Sequence, residues 1–271
     1  MSDKKFHIET LAVHAGQPTF GDVALYFSTD ESAYIMFETM DRPYNSPDAQ
    51  NRTAIAAALR YGGARVEYFD NATLDEVVPE KFPVLIAPGE KVVSGEAEDL
   101  LRRYAENGGS LVAFNDFNAL DAKLDPKPIP GAAGWKGDVR RMAFKGKHAQ
   151  KPYNTAEYDM EIARFFASNP RIPRRAYWEN EEPRRNGEEK LLPGEGRPLV
   201  EVVVREQERT GLRFAFVLNK GGAGEGRLCG DDFEGAKLED ALTGESVPLA
   251  FELPAFGYRV LVLRGERALR E

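Results

Sequence analysis

The densest glycine run in the chain, Lys220-Gly221-Gly222-Ala223-Gly224-Glu225-Gly226, invites a phosphate-loop reading. Such loops need a helix N-terminus after them to aim N–H groups at the anion. Strand-type alternation flanks this run on both sides, so it is expected to be a hairpin loop. No serine, Ser94 and Ser110 included, sits in the G-x-S-x-G setting that a strained nucleophile elbow requires. The one cysteine, Cys229, falls among alternating residues and is expected to be a small buried side chain. His7, His14 and His148 are scattered without H-x-x-x-H spacing, although distant ligands can still converge in a fold. No metal site, cofactor or catalytic residue is therefore assigned. Glycosidases need two carboxyl groups about 5 to 9 Å apart on a rigid frame, and among 44 Asp and Glu residues spacing alone selects no pair.

Polar residues that could meet a ligand become recognisable once the elements are placed. From about Asp22 to Lys145 strand and helix patterns alternate, which implies βα units and a mostly parallel sheet. Asp22 to Phe27, Arg65 to Phe69, Pro83 to Ala87, Ser110 to Phe114 and Val139 to Phe144 read as strands. One helix is expected over Ser46 to Tyr61, with Pro47 at its first position and Gly62-Gly63 as its exit. A second is expected after Ser94, with Ala97, Leu100, Leu101, Tyr104 and Ala105 on one stripe and Gly108-Gly109 as its exit. In open sheets of this kind ligands meet the loops at the carboxyl ends of strands near the switch point. Asp30, Glu31 and Tyr34 after the first strand, and Asn115 and Asp116 after the fourth, are the ligand-binding candidates. The same residue types are also ordinary caps and turn formers.

Past Arg197 the period becomes two. Leu212, Phe214, Phe216 and Leu218 alternate, as do Val247, Leu249, Phe251 and Leu253, and Tyr258, Val260 and Val262. The fold class expected is thus α/β: a flavodoxin-like or amidotransferase-like doubly wound parallel sheet, followed by a small antiparallel β-sandwich. The domain boundaries expected are 20–146 for the first domain, 147–197 for a connector with one helix over Thr155 to Ala167, and 198–265 for the sandwich. Trp135, Tyr177 and Trp178, in loop-like settings, are interface candidates beside their alternative as domain-packing residues.

The balance of 36 Lys plus Arg against 44 Asp plus Glu gives −8, and no basic patch offsets it, so nucleic acid is not an expected partner. No apolar stretch approaches the ~20 residues needed to span a bilayer, and the charged start lacks an apolar leader core, so no membrane partner and a cytoplasmic location are expected.

Two blocks carry a family resemblance. The first runs from Asp22 to Phe114, with DVALYFSTDESA and FPVLIAPGEKVVSGEAEDLLRRYAENGGSLVAF. It resembles the trimerisation domain of family 42 β-galactosidases, in which a strand ending in APG leads to VS, an amphipathic helix, a GG turn and another strand. The second, Pro198 to Leu263, contains PLVEVVVREQ, LRFAFVLNK, DALTGESV and FELPAFGYRVLVL, and resembles the C-terminal β-domain of the same enzymes. The first block is also similar to the class I glutamine amidotransferase fold. At the nucleophile position of that fold this chain reads Asn115-Asp116-Phe117, which supplies no thiolate. In the family the catalytic glutamates reside on an N-terminal barrel, and a (β/α)₈ barrel takes about 200 residues or more, which the two blocks leave no room for in 271.

The resemblance implies a non-catalytic assembly module that self-associates, as a homotrimer, or joins a barrel-bearing hydrolase subunit. The alternatives are a stand-alone protein binding a galactoside or other sugar at the strand-end loops, and a small glycoside hydrolase using acids there.

Overall fold

The computed structural model describes residues 21–30, 55–56, 58–114, 117–121, 123–127, 135–142, 166, 168–180, 198–207 and 210–265. The chain divides into two compact units: Gly21–Leu59 with Arg65–Ile172, and Met1–Phe20 with Arg60–Ala64 and Pro173–Glu271.

The α/β unit is built on five parallel strands, β1 (Val23–Phe27), β2 (Val66–Asp70), β3 (Val84–Ala87), β4 (Ser110–Phe114) and β5 (Asp138–Met142). Their order is β2-β1-β3-β4-β5, so the direction of winding reverses between β1 and β3. β3 and β4 are buried at every position. That is why they read as continuous apolar runs rather than alternating ones. The helix α1 (Gly95–Glu106) starts where Ser94 Oγ accepts from Ala97 N at 3.4 Å and carries Glu96 and Glu98 in its first turn, favourable against the helix dipole. It lays Ala97, Leu101, Tyr104 and Ala105 onto one sheet face, against Ala24, Tyr26, Leu85, Leu111 and Ala113. The Tyr104 hydroxyl donates to Phe82 O at 2.8 Å, which satisfies its polar end inside that core. Gly108, at φ +96, ends the helix with a left-handed turn that other residues resist. Residues 55–56 and 58–61 are helical, the end of the first expected helix.

The second unit is antiparallel. One sheet has the order β11-β10-β13-β8-β7, formed by Ser246–Val247 (β11), Lys237–Asp240 (β10), Tyr258–Arg264 (β13), Arg213–Asn219 (β8) and Val200–Glu206 (β7). The other has the order β12-β9-β6, formed by Ala250–Leu253 (β12), Gly224–Cys229 (β9) and Tyr177–Glu179 (β6). Val200, Val202, Val204, Ala215, Val217, Leu261 and Leu263 from the first sheet share a core with Trp178, Leu228 and Leu253 from the second. Tyr177–Glu179 is a strand inside the stretch expected as a connector.

Two local expectations are corrected. The glycine-rich run joins β8 in one sheet to β9 in the other and closes no hairpin. Asn219, only 4% exposed, holds it: Oδ1 accepts from Leu199 N and Gly221 N, while Nδ2 donates to Gly222 O and Pro254 O. All of its usual hydrogen-bond capacity is thereby engaged. Likewise the alternating run from Val247 to Leu253 is two strands in different sheets, broken where Pro248 cannot continue a ladder.

Candidate functional site

At the carboxyl ends of β1 and β3, where the winding reverses, the structure gathers a set of polar side chains from several loops. Ser28, fully buried, donates its hydroxyl to Val92 O at 2.6 Å and fixes the end of β1 against the segment after β3. Asp30 follows, and its Oδ2 accepts from Asn71 Nδ2 at 2.8 Å and from Ser94 N at 3.2 Å. Asn71 in turn accepts through Oδ1 from the Tyr26 hydroxyl at 2.7 Å and from Thr29 N at 3.3 Å. Three loops are thereby tied together by one Asp and one Asn. Burial pushes the Tyr26 hydroxyl well above the usual phenol range, and the charges of Glu90, Asp30 and Asp70 push the same way. Tyr26 is therefore a hydrogen-bond donor here and not a base.

On the β4 side, Asn118 is 1% exposed and adopts φ +57, a left-handed conformation that Asn tolerates better than most residues. Its N–H donates to Glu90 O at 2.7 Å. Lys127 Nζ donates to Asn118 Oδ1, to Glu98 Oε2 at 2.6 Å and to Val93 O at 3.3 Å, so its charge is balanced by Glu98. Glu90 itself is 2% exposed.

Chemically this arrangement can present carboxylate, amide and hydroxyl groups to a polar ligand. No group of three or more metal-ligating side chains gathers among the described residues, and the described strand ends hold no His or Cys to act as base or nucleophile. Glu31, Tyr34, Asn115 and Asp116 lie outside the described residues. Asp30 is the ligand-binding candidate whose surroundings are defined. Asn118 belongs to the loop after the fourth strand, where the sequence already directs the search for a polar ligand, whereas Asn71, Ser94 and Lys127 were not singled out by sequence reasoning as partners at this place. Asn71, directly after β2, occupies a strand end equivalent to Asp30's and was readable on that ground.

The three interface candidates fall in different settings. Trp135 packs against the core of the α/β unit. Trp178 lies in β6 within the second unit's core, edge-on to Phe251 at 5.0 Å and so close to Gly226 that a Cβ there would come within 2.3 Å of the indole. Tyr177 points to the other side of β6, its ring covered by the Arg174 guanidinium at 3.4 Å.

Among the described residues no helix is long and apolar enough to cross a membrane. The combination of a parallel α/β unit with an antiparallel two-sheet unit is a fold seen in glycoside hydrolases of the GH42 type. Gan42B, a GH42 beta-galactosidase from G. stearothermophilus solved as a catalytic mutant, matches with a TM-score of 0.62 at 12% identity, over 96% of this chain and 42% of that one. A beta-galactosidase from Rahnella sp. R3 matches with a TM-score of 0.56 at 17% identity, over 95% of this chain and 43% of that one. An exo-carrageenase GH42 from Bacteroides ovatus matches with a TM-score of 0.56 at 13% identity, over 91% of this chain and 29% of that one. The chain thus spans less than half the length of each of these structures. No protein-family model matches the sequence, and no curated protein does either.

Proposed function

We propose that this chain is a non-catalytic assembly module of a GH42-like glycoside hydrolase, with a flavodoxin-like domain of the trimerisation type and a C-terminal β-sandwich, and that it acts in carbohydrate metabolism. The observation that supports this reading is the fold: over 90% of this chain superposes on GH42 structures, of which it spans less than half. The domains proposed run from 20 to 146 and from 198 to 265, the second completed by β6 (Tyr177–Glu179) from the residues between them. The module is cytoplasmic and works by self-association, as a homotrimer, or by joining a barrel-bearing hydrolase subunit; Trp135 and Tyr177, each half-buried, are the interface candidates from the sequence that lie outside a fully packed core. Light scattering after size exclusion, over a range of concentrations, tests it. A stable trimer supports the module, and a strict monomer that also fails to bind a barrel subunit refutes it.

A second reading, sugar binding at the strand-end loops, is favoured by one observation. Asn118 Nδ2 is buried without a hydrogen-bond partner among the described residues, and a buried donor of this kind calls for an acceptor. A galactoside hydroxyl reaching Asn118 would supply one. Asp30→Ala or Asn115→Ala would then abolish saturable binding; absence of any galactoside binding at millimolar concentration removes this reading.

A further inference from the structure

Three of the large apolar side chains that the described residues leave exposed lie at one corner of the five-stranded antiparallel sheet. They are Leu218 at 40%, Phe256 at 60% and Tyr258 at 53% exposure. Leu218 on β8 is the direct cross-strand partner of Tyr258 on β13, so the two side chains share one face. That face is opposite the core formed by Ala215, Val217, Leu261 and Leu263, and it continues into Phe214, Phe216, Val260 and Val262. Phe256 lies two residues before Tyr258, in the turn between β12 and β13.

The turn is held in a strained but rigid form. Phe256 has φ +54, where a bulky non-glycine residue is a rare outlier. Gly257 N donates to Pro254 O at 2.9 Å across the turn. Asn219 pins both of its ends, donating from Nδ2 to Pro254 O and from its backbone N to Gly257 O, each at 2.9 Å. A strained aromatic residue that is fixed in place and turned to solvent points to a role for the side chain outside the fold.

Size decides which occupant fits. Aromatic side chains carry about 150–250 Å² each, so three side chains near half exposure leave about 300 Å² open. A stable protein interface needs about 800 Å² on each partner, and this corner falls well short. One or two sugar rings would cover it. A pyranose with its C–H bonds on one face meets the electron-rich face of an aromatic ring favourably, and its edge needs fixed polar groups. One is present: Lys220, just past the end of β8 and with a half-buried side chain, is anchored with Nζ 2.6 Å from Oε2 of Glu201, the cross-strand neighbour of Leu218 on its other side. The Glu201 carboxylate, itself buried, is shared by Lys220 and Arg60, whose Nε stands 3.8 Å from Oε1, so the ammonium of Lys220 is the polar group this margin offers.

We propose that Phe256, Tyr258 and Leu218, with Lys220 at their margin, form a surface site for a pyranose ring of an oligosaccharide. The site is separate from the strand-end loops of the α/β unit and does not depend on the assembly reading. It is tested on the full ¹⁵N-labelled chain by NMR titration with β-1,4-galactotetraose and, as a second probe, cellotetraose. The expected result is saturable shifts at amides 218–220 and 255–259, with a Kd on the order of 1 mM, weakened at least about tenfold in Phe256→Ala and in Tyr258→Ala. Tyr68→Ala, which removes an exposed aromatic residue of the other unit, should bind as the unaltered chain does. Absence of shifts with both sugars, shifts centred instead on Asp30 and Ser94, or variants that bind normally would each overturn the site. So would a fall in solution mass, measured on the same samples, in Phe256→Ala, since that would make the corner a subunit contact. Sugar binding by a strict monomer would support this site while refuting homotrimer formation; a trimer that binds no sugar would do the reverse.

Discussion

Replacing Asn219 by Ala should destabilise the two-sheet unit by about 3–4 kcal/mol. The side chain makes four hydrogen bonds to backbone groups from a position that is 4% exposed, and each such bond contributes about 1 kcal/mol net. Leu199 N, Gly221 N, Gly222 O and Pro254 O would lose their partner together, and a buried backbone group without one is costly. Asn219→Asp is expected to be no better, because a carboxylate cannot donate to Gly222 O or Pro254 O. The assay is urea unfolding followed by fluorescence. Trp135 and Trp178 are the only tryptophans, so a Trp135→Phe background leaves Trp178, in the core of this unit, as the reporter. With an m-value on the order of 1.5 kcal/mol/M, the midpoint should fall by about 2 M. A loss below about 1 kcal/mol would refute the claim that this residue organises the loops, since one bond's worth would then account for the whole effect.

Gly230→Ala should cost more than Gly244→Ala. Both glycines have positive φ, but a Cβ at Gly230 would stand 2.4 Å from Arg175 O, whereas at Gly244 the nearest atom is 3.9 Å away; equal unfolding midpoints for the two variants would contradict this. Asp138, which accepts from Ser110 Oγ and is paired with Arg140, has its carboxyl held below the usual 3.8. Burial pushes that carboxyl up, but the bonds from Arg140 and Ser110 outweigh it. Its contribution to stability is present above the unfolded value and lost as pH falls through the lower folded one, so Asp138→Asn should flatten the loss of stability below pH 3.8 seen in acid titration. The Cys229 thiol is pushed up by burial and then by the neighbouring Glu179 carboxylate. It should alkylate more slowly than free cysteine at neutral pH and faster in Glu179→Gln, as measured by iodoacetamide labelling.

The parallel sheet was legible because β1, β3 and β4 are buried on both faces and the helix after β3 is bounded by unambiguous signals. Ser110 to Phe114 matches β4 residue for residue, and Ser94 caps α1 as its position suggested. What sequence could not convey was pairing. The same alternation fits a strand of either sheet, so nothing in Val247 to Leu253 announced that Pro248 separates two sheets. Tyr177–Glu179 is too short and too polar in its surroundings to stand out as a strand. The strand-end network was only half visible: Asp30 was placed by its position after β1, but its partner Asn71 is 41 residues away and linked by no periodicity. Asn219 lay within the loop assigned to the glycines, where an amide is an ordinary turn residue until its four partners are known.

The two apolar faces of β8 and β13 carry a consequence for how their alignment is specified. Most half-buried strands are kept in register by polarity, because a slip of one residue would carry the apolar set into water. Here a slip would exchange one apolar set for another, bringing Phe214 and Phe216 into space that Ala215 and Val217 fill and displacing Leu261 and Leu263 by Val260 and Val262. Only side-chain volume opposes that exchange, so the alignment rests on jigsaw fit and on the Asn219 bond to Gly257 that fixes the first rung. Substitutions that even out side-chain size across these strands are therefore a route to misaligned chains, even where every replacement is apolar and each is harmless alone.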